Sequence, residues 1–410
     1  MALLAASVRT AGAYSVLTHE AIIDSAWDAS IAPLLEARFP SATPDELREA
    51  HGYAYGGCII QDMGYYPFGS RLFSDLVHYA NTSDFVRNLI RDSQTLDEYA
   101  FALGALAHVA ADTNGHPIAV NRAVPILYPE LERRFGSVMT YEENPAAHIK
   151  TEFGFDVVQV ARGSYAPKAY HDFVGFQVAK PVLERAFQDT YALKLSDVFA
   201  SVDLALGTYR RTVSTIIPET THVAWELQKD EIVKAHPGMT RAKFLYNISR
   251  QSYEKEWGRD YHRPGVGARV LAWVFRIVPR VGPFKALSYK APNQQTVEMF
   301  MRSFNLTLDH YRNFLAHVKT GDLALPNLDL DTGQRAHAGE YRLADETYAQ
   351  LVAKLAEKDF SGVTPELRAG ILRFYGNLQA PVATKKKEDQ WHKTVLALEK
   401  LKALEAAPTS

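Results

Sequence analysis

Apolar residues recur along this chain with the spacing of helices. Nowhere do they alternate with the period of two that a half-buried strand requires. Thr18 reads as the N-cap of a helix through His19-Glu20-Ala21-Ile22-Ile23, with Ala21, Ile22, Ala26 and Trp27 on its apolar side. Helical patterns follow at 45–57, 71–79, 84–92, 95–113 and 144–160, then at 171–190 and 195–230. Past about residue 235 the texture changes. Asp260 to Pro292 is rich in Pro and Gly, and helices resume at 293–318. A loop rich in Asp, Leu and Gly covers 320–340, shorter helices are expected at 341–358 and 364–377, and Lys385-Lys386-Lys387 opens a charged tail read as a lone helix over 388–405. No internal repeat and no sustained heptad occurs. The expected fold class is all-α.

Composition narrows the function. The chain has 410 residues, 47% of them hydrophobic and 22% charged, which suits a folded globular protein. Its formal net charge of −2 provides no basic field for nucleic acid. No run of eighteen apolar residues exists, as a membrane span would need. The single cysteine, Cys58, excludes an intramolecular disulfide framework and a thiolate zinc site, so any zinc must be held by His, Asp and Glu. That donor set is typical of catalytic sites.

Between Leu103 and Pro117 the chain reads LGALAHVAADTNGHP, placing His108, Asp112 and His116 at i, i+4 and i+8 on one helix face. The flanking Leu and Ala residues make this a buried helix, where bare polar groups are costly, so three convergent zinc-type ligands point to a metal site. His148 and Glu152 form a second i, i+4 pair after Asn144-Pro145. Asp62 lies in the turn GGCIIQDMGYYPFGS, and His78 and His19 sit on apolar helices. Singly, each of these is weak. Eight other histidines, His171, His222, His236, His262, His310, His317, His337 and His392, lack ligand spacing and read as surface or satisfied-core residues.

Taken in order, His19, Asp62, His78, His108, Asp112, His116, His148 and Glu152 resemble the ligand set of the zinc-dependent phospholipase C family. That family has relatives among the S1/P1-type nucleases and the amino-terminal domain of glycosylphosphatidylinositol-specific phospholipase D. The resemblance spans about residues 14 to 215. It implies a phospholipase C/P1 nuclease-like helical domain with a trinuclear zinc cluster, to which a helical C-terminal extension is added. Asp62, His78, His108 and Asp112 would hold one zinc, and His116, His148 and Glu152 a second. His19 and the bridging Asp112 would hold a third, completed by the amine and carbonyl of the mature N-terminal residue.

Tyr14 stands five residues before His19 and directly after Ala11-Gly12-Ala13, a pattern signal peptidase can cut. Cleavage there would free the Tyr14 amine as a ligand, so residues 1–13 are read as a truncated signal peptide and the protein as secreted or periplasmic. Without that cleavage two zinc ions are expected instead of three. Residues 14–235 are then the catalytic domain, 236–383 a helical region of unknown role and 384–410 the charged helical tail. Two departures from the family pattern stand out. Asp112 and His116 are only four apart, a spacing more similar to the phospholipase D relative, and Gln61 replaces the Pro of that branch's Gly-x-x-x-Pro-Asp-x-x-Tyr segment.

The chemistry implied is hydrolysis of a phosphodiester, most naturally a phospholipid, by a water that the zinc ions activate and Asp62 orients. The alternatives are an S1/P1-type single-strand nuclease or phospholipase D-type cleavage on the same core, with a non-enzymatic, zinc-stabilised lipid-binding protein as the outsider. Nucleic acid is disfavoured by the lack of a basic, aromatic-interleaved surface, and no protein partner is implied. Tyr65, Tyr66 and Phe68 are weighed as a cation–π wall for a quaternary ammonium against loop packing, with packing favoured. The segment 266–287, with Arg269, Arg276, Arg280 and Lys285 among aliphatics, suits either peripheral contact with an anionic membrane or burial, and burial is favoured.

Overall fold

The computed structural model describes residues 15–162, 176–213 and 289–404, and every regular element among them is helical. In the first half lie α1 (Val16–Ala26), α2 (Ala32–Arg38), α3 (Pro44–Cys58), α4 (Arg71–Tyr79), α5 (Thr82–Asp92) and α6 (Leu96–Gly115). They are followed by α7 (Asn121–Leu127), α8 (Pro129–Phe135), α9 (Pro145–Arg162), α10 (Lys180–Tyr191) and α11 (Val202–Arg211). The C-terminal helices are α12 (Gln294–Thr320), α13 (Arg342–Glu357), α14 (Pro365–Phe374) and α15 (Glu388–Ala403). The all-α expectation therefore holds.

Local chemistry sets the helix starts. Thr43 and Glu46 form a reciprocal capping box at α3: the Glu46 carboxylate accepts the Thr43 N–H at 2.7 Å and the Thr43 hydroxyl accepts the Glu46 N–H at 3.3 Å. Thr95 caps α6 and Ser70 caps α4 through the N–H three residues on. At α1 the structure corrects the sequence reading. Ser15, not Thr18, is the N-cap, and Thr18 lies inside the helix, where its hydroxyl donates to Asp156 of α9 at 2.5 Å.

Helix α6 is the axis of the fold. It is buried on nearly every side and packs against α1, α3, α5 and α12, so its polar residues face protein rather than water. The Tyr311 hydroxyl of α12 donates to the Leu103 carbonyl of α6 at 3.0 Å. The C-terminal helices share the same hydrophobic core. Helix α13 packs on α4, and α15 packs on α13 and α14, burying Ala397, Leu398 and Leu401. The helix at 388–403 is thus not the lone tail expected from its charge. The periodic stretch at 171–190 also overreached, because residues 176–179 are not helical and α10 starts at Lys180 with Pro181 in its first turn.

Candidate metal centre

Four elements bring the donor side chains together around Asp112 of α6. Its Oδ2 lies 3.2 Å from His108 Nε2, 3.6 Å from His78 Nε2 and 3.7 Å from His116 Nε2, while its Oδ1 is 3.7 Å from His19 Nε2. One carboxylate thus faces four imidazoles, all buried. The i, i+4 geometry of α6 provides His108. His116, one turn after Asp112, stands where α6 passes into a π-helical turn, His116–Val120, that carries Pro117.

The ring nitrogens are sorted by their second partners. Nδ1–H of His108 donates to the Cys58 carbonyl at 2.9 Å, and Nδ1–H of His78 donates to the Ser74 carbonyl at 2.8 Å. Both Nε2 atoms therefore point inward, and they face each other at 3.4 Å. Backbone acceptors that fix the imidazole tautomer in this way are a recurring support for metal-binding histidines. Asp62 stands on the 3₁₀ turn Ile60–Tyr65, 3.4 Å from His78 Nε2. Gln61 of that turn donates to the Ala105 carbonyl at 3.0 Å, and the Gly64 N–H donates to Ser74 Oγ at 2.9 Å, which ties the turn to α6 and α4.

A second group of donors lies beyond His116. The His116 and His148 rings stack with centroids 4.9 Å apart. Asn121 donates through Nδ2 to the Asp331 carbonyl at 2.8 Å, so its Oδ1 accepts Nε2–H of His148, also at 2.8 Å. His148 Nδ1 is left facing Glu152 Oε1 at 2.7 Å. Asp331 lies on the loop between α12 and α13, and its Oδ1 sits 3.1 Å from His116 Nδ1. Three sets of donors converge closely enough for a shared ion: His19, His108 and Asp112; Asp62, His78 and His108; and His116, His148 and Asp331.

Burial and mutual charge shape the protonation of the metal-free cluster. Burial lowers His19 to about 3, with His108 adding to the effect. His78 is pushed the other way, to about 10, because Asp112 and Asp62 outweigh its burial. The neighbouring imidazoles overcome burial at Asp112 and hold its carboxyl well below the usual range. Burial and the carboxylates Asp62 and Asp112 push Glu152 well up, whereas burial and His116 push His148 well down. Both shifts favour the uncharged forms of this pair, whose facing atoms stand where a cation would bind.

These residues fit a zinc-type cation. The donors are nitrogen and oxygen only, as zinc accepts. Asp62 Oδ1, His116 Nδ1 and Asp331 Oδ1 are buried atoms that make no hydrogen bond among the described residues. Leaving such groups bare costs about 1–3 kcal/mol each, which a bound ion would relieve.

The structure brings together seven of the expected ligands through α1, α4, α6, the π-helical turn after it, α9 and the 60–65 turn. Glu152 sits beside His148 but outside the three convergent sets, where Asp331 stands instead. Tyr14 and the basic segment 266–287 lie outside the described residues. Tyr65 and Tyr66 are buried packing residues, and only Phe68 of the aromatic turn is exposed, at 64%. Asp331 was not among the sequence-based candidates. Its only signal is the D-x-D-x-G run of Asp329, Asp331 and Gly333, which reads as an acidic surface turn.

Comparison with known proteins agrees with the ligand order. Residues 18–201 match the family model described as zinc dependent phospholipase C. No curated protein and no solved structure matches the chain. The matched stretch contains every described ligand-type residue from His19 to Glu152, and it belongs to the zinc-dependent phospholipase C family.

Proposed function

We propose that the protein is a phospholipase C that hydrolyses a phospholipid at a trinuclear zinc centre and releases the phosphorylated headgroup. The observation carrying this reading is the Asp112 carboxylate with four imidazole nitrogens within 3.7 Å, buried and inside the family match. Asp62, His78, His108 and Asp112 would hold one ion, His116, His148 and Glu152 a second, and His19 with Asp112 a third. Zinc at such a site neutralises phosphate oxygens, activates water and stabilises the leaving oxygen.

The chain's own groups supply the positioning. Asp112 spans the cluster and fixes the separation of the donors on either side of it. The Ser74 and Cys58 carbonyls hold His78 and His108 in one tautomer, so their Nε2 atoms need no rearrangement to bind. Asp62 Oδ1, an acceptor without a hydrogen bond among the described residues, is suited to take a proton from water and orient it toward phosphorus. Secretion belongs to the same proposal: cleavage after Ala13 would free the Tyr14 amine five residues before His19, and N-terminal sequencing of the exported protein would read Tyr14 first.

Asp112→Ala tests the reading. The variant is expected to lose zinc and phosphatidylcholine hydrolysis together; full hydrolysis in this variant, or a wild-type protein without zinc, would sink the assignment. Faster cleavage of single-stranded DNA than of phosphatidylcholine would instead favour the nuclease branch.

A further inference from the structure

We propose that Asp331, supplied by a loop outside the family-matched stretch, is a ligand of the second metal position together with His116 and His148. This rests on reading the cluster as a metal centre and adds a donor that the family ligand order does not contain. Asp331 is 3% exposed, and its Oδ1 approaches His116 Nδ1 to 3.1 Å. Neither atom makes a hydrogen bond among the described residues, so the two lie side by side without a proton aligned between them. A buried carboxylate oxygen and an imidazole nitrogen in that relation are arranged as two donors to one cation. The donor atoms of His116, His148 and Asp331 all lie within 4.8 Å of one another.

The rest of Asp331 is fully engaged, which aims the one bare oxygen. Its Oδ2 accepts the Tyr341 hydroxyl, its N–H donates to Asp329 Oδ1 at 2.8 Å, and its carbonyl accepts Asn121 Nδ2 at 2.8 Å. Asn121 is also the residue that sorts the nitrogens of His148, so one side chain positions two of the three donors. The preceding Leu330 N–H donates to the carbonyl of His78, at 3.0 Å, and Asn327 Oδ1 accepts the N–H groups of Ser83 and Asp84. Gly333, at φ +68°, brings the loop onto α6 so closely that a β-carbon there would stand 2.8 Å from the Thr113 carbonyl. The loop is thus hydrogen-bonded to the backbone of α4 and α5 and packed against that of α6. The geometry gives the C-terminal region a role: it completes the metal centre of the N-terminal domain.

The test uses the full-length chain, metal-depleted and then titrated with zinc. Asp331→Asn is expected to bind one ion fewer than wild type, or to hold that ion at least about 10-fold more weakly. Its metal-free form should melt no lower than metal-free wild type, which separates lost ligation from lost folding. Asp331→Cys loaded with cobalt(II) is expected to show a thiolate-to-cobalt charge-transfer band in the near ultraviolet, which only direct ligation produces. The proposal stands if both results are obtained. An Asp331→Asn protein with wild-type zinc content and affinity overturns it. A cobalt-loaded Asp331→Cys protein without the band overturns it as well, because the aspartate would then merely orient His116. Wild-type protein that binds no zinc at all fails the underlying functional reading instead.

Discussion

Gly104 on α6 faces the carbonyl of Ala54 on α3 so closely that a methyl group at Gly104 would stand 2.1 Å from that oxygen. The ligand helix is seated on its neighbour by backbone contact, and its register fixes where His108 and Asp112 lie. Gly104→Ala gains about 1 kcal/mol of helix propensity but forces the two backbones apart, an overpacking cost of about 3 kcal/mol or more. The expected net loss is about 2 kcal/mol, accompanied by weaker zinc binding. A melting temperature equal to or above that of wild type would show that the crossing is looser than described.

Metal removal should destabilise the fold without dissolving it. The core is continuous through both halves of the described chain, so helix content is expected to survive chelation. Each zinc site held at free metal about 1,000 times its Kd contributes about 4 kcal/mol. Calorimetry with and without chelator should show a marked drop in melting temperature that zinc restores, and superimposable melts would argue against ligation by this cluster.

Asp97, in the first turn of α6, gives a pH signature remote from the cluster. Burial, with Glu49 and Glu46 nearby, raises its carboxyl to about 6 from an ordinary value near 3.8. The folded state then binds more protons at this group than the unfolded state between those values, so the contribution of Asp97 to stability is greatest at low pH and falls as pH rises through about 4 to 6. Partial exposure and solvent screening limit the contribution to about 1 kcal/mol. Asp97→Asn should raise stability at pH 7 and flatten that part of the pH profile; an unchanged profile would remove Asp97 from the account.

Asp62→Asn separates orientation of water from metal retention. The amide keeps one oxygen for an ion but loses the ability to take a proton. A fall in kcat of about 10²–10⁴-fold with most of the zinc retained is expected, in line with loss of a general base. A variant with near-normal kcat would assign Asp62 to ligation alone.

Most of the fold was legible because helix signals are local. The apolar repeat around His108 and the pair His148 and Glu152 lie within one or two turns of sequence. Short elements such as α2, α7 and α8 were missed, since seven-residue helices carry too few periods to register. Thr18 misled because a threonine before an apolar run suits a cap, whereas its hydroxyl is bonded to Asp156 far along the chain. Asp331 was invisible for the same reason. Its partners His116, Asn121 and Tyr341 are brought together only when the loop after α12 returns to α7 and the π-helical turn.

The central claim is tested most directly by phosphorus NMR of the products formed from phosphatidylcholine vesicles by the zinc-loaded full-length protein. The account predicts a growing phosphocholine resonance that vanishes on chelation and returns with zinc. Phosphatidic acid as the only new phosphorus species, or no product from a fully zinc-loaded protein, would contradict it.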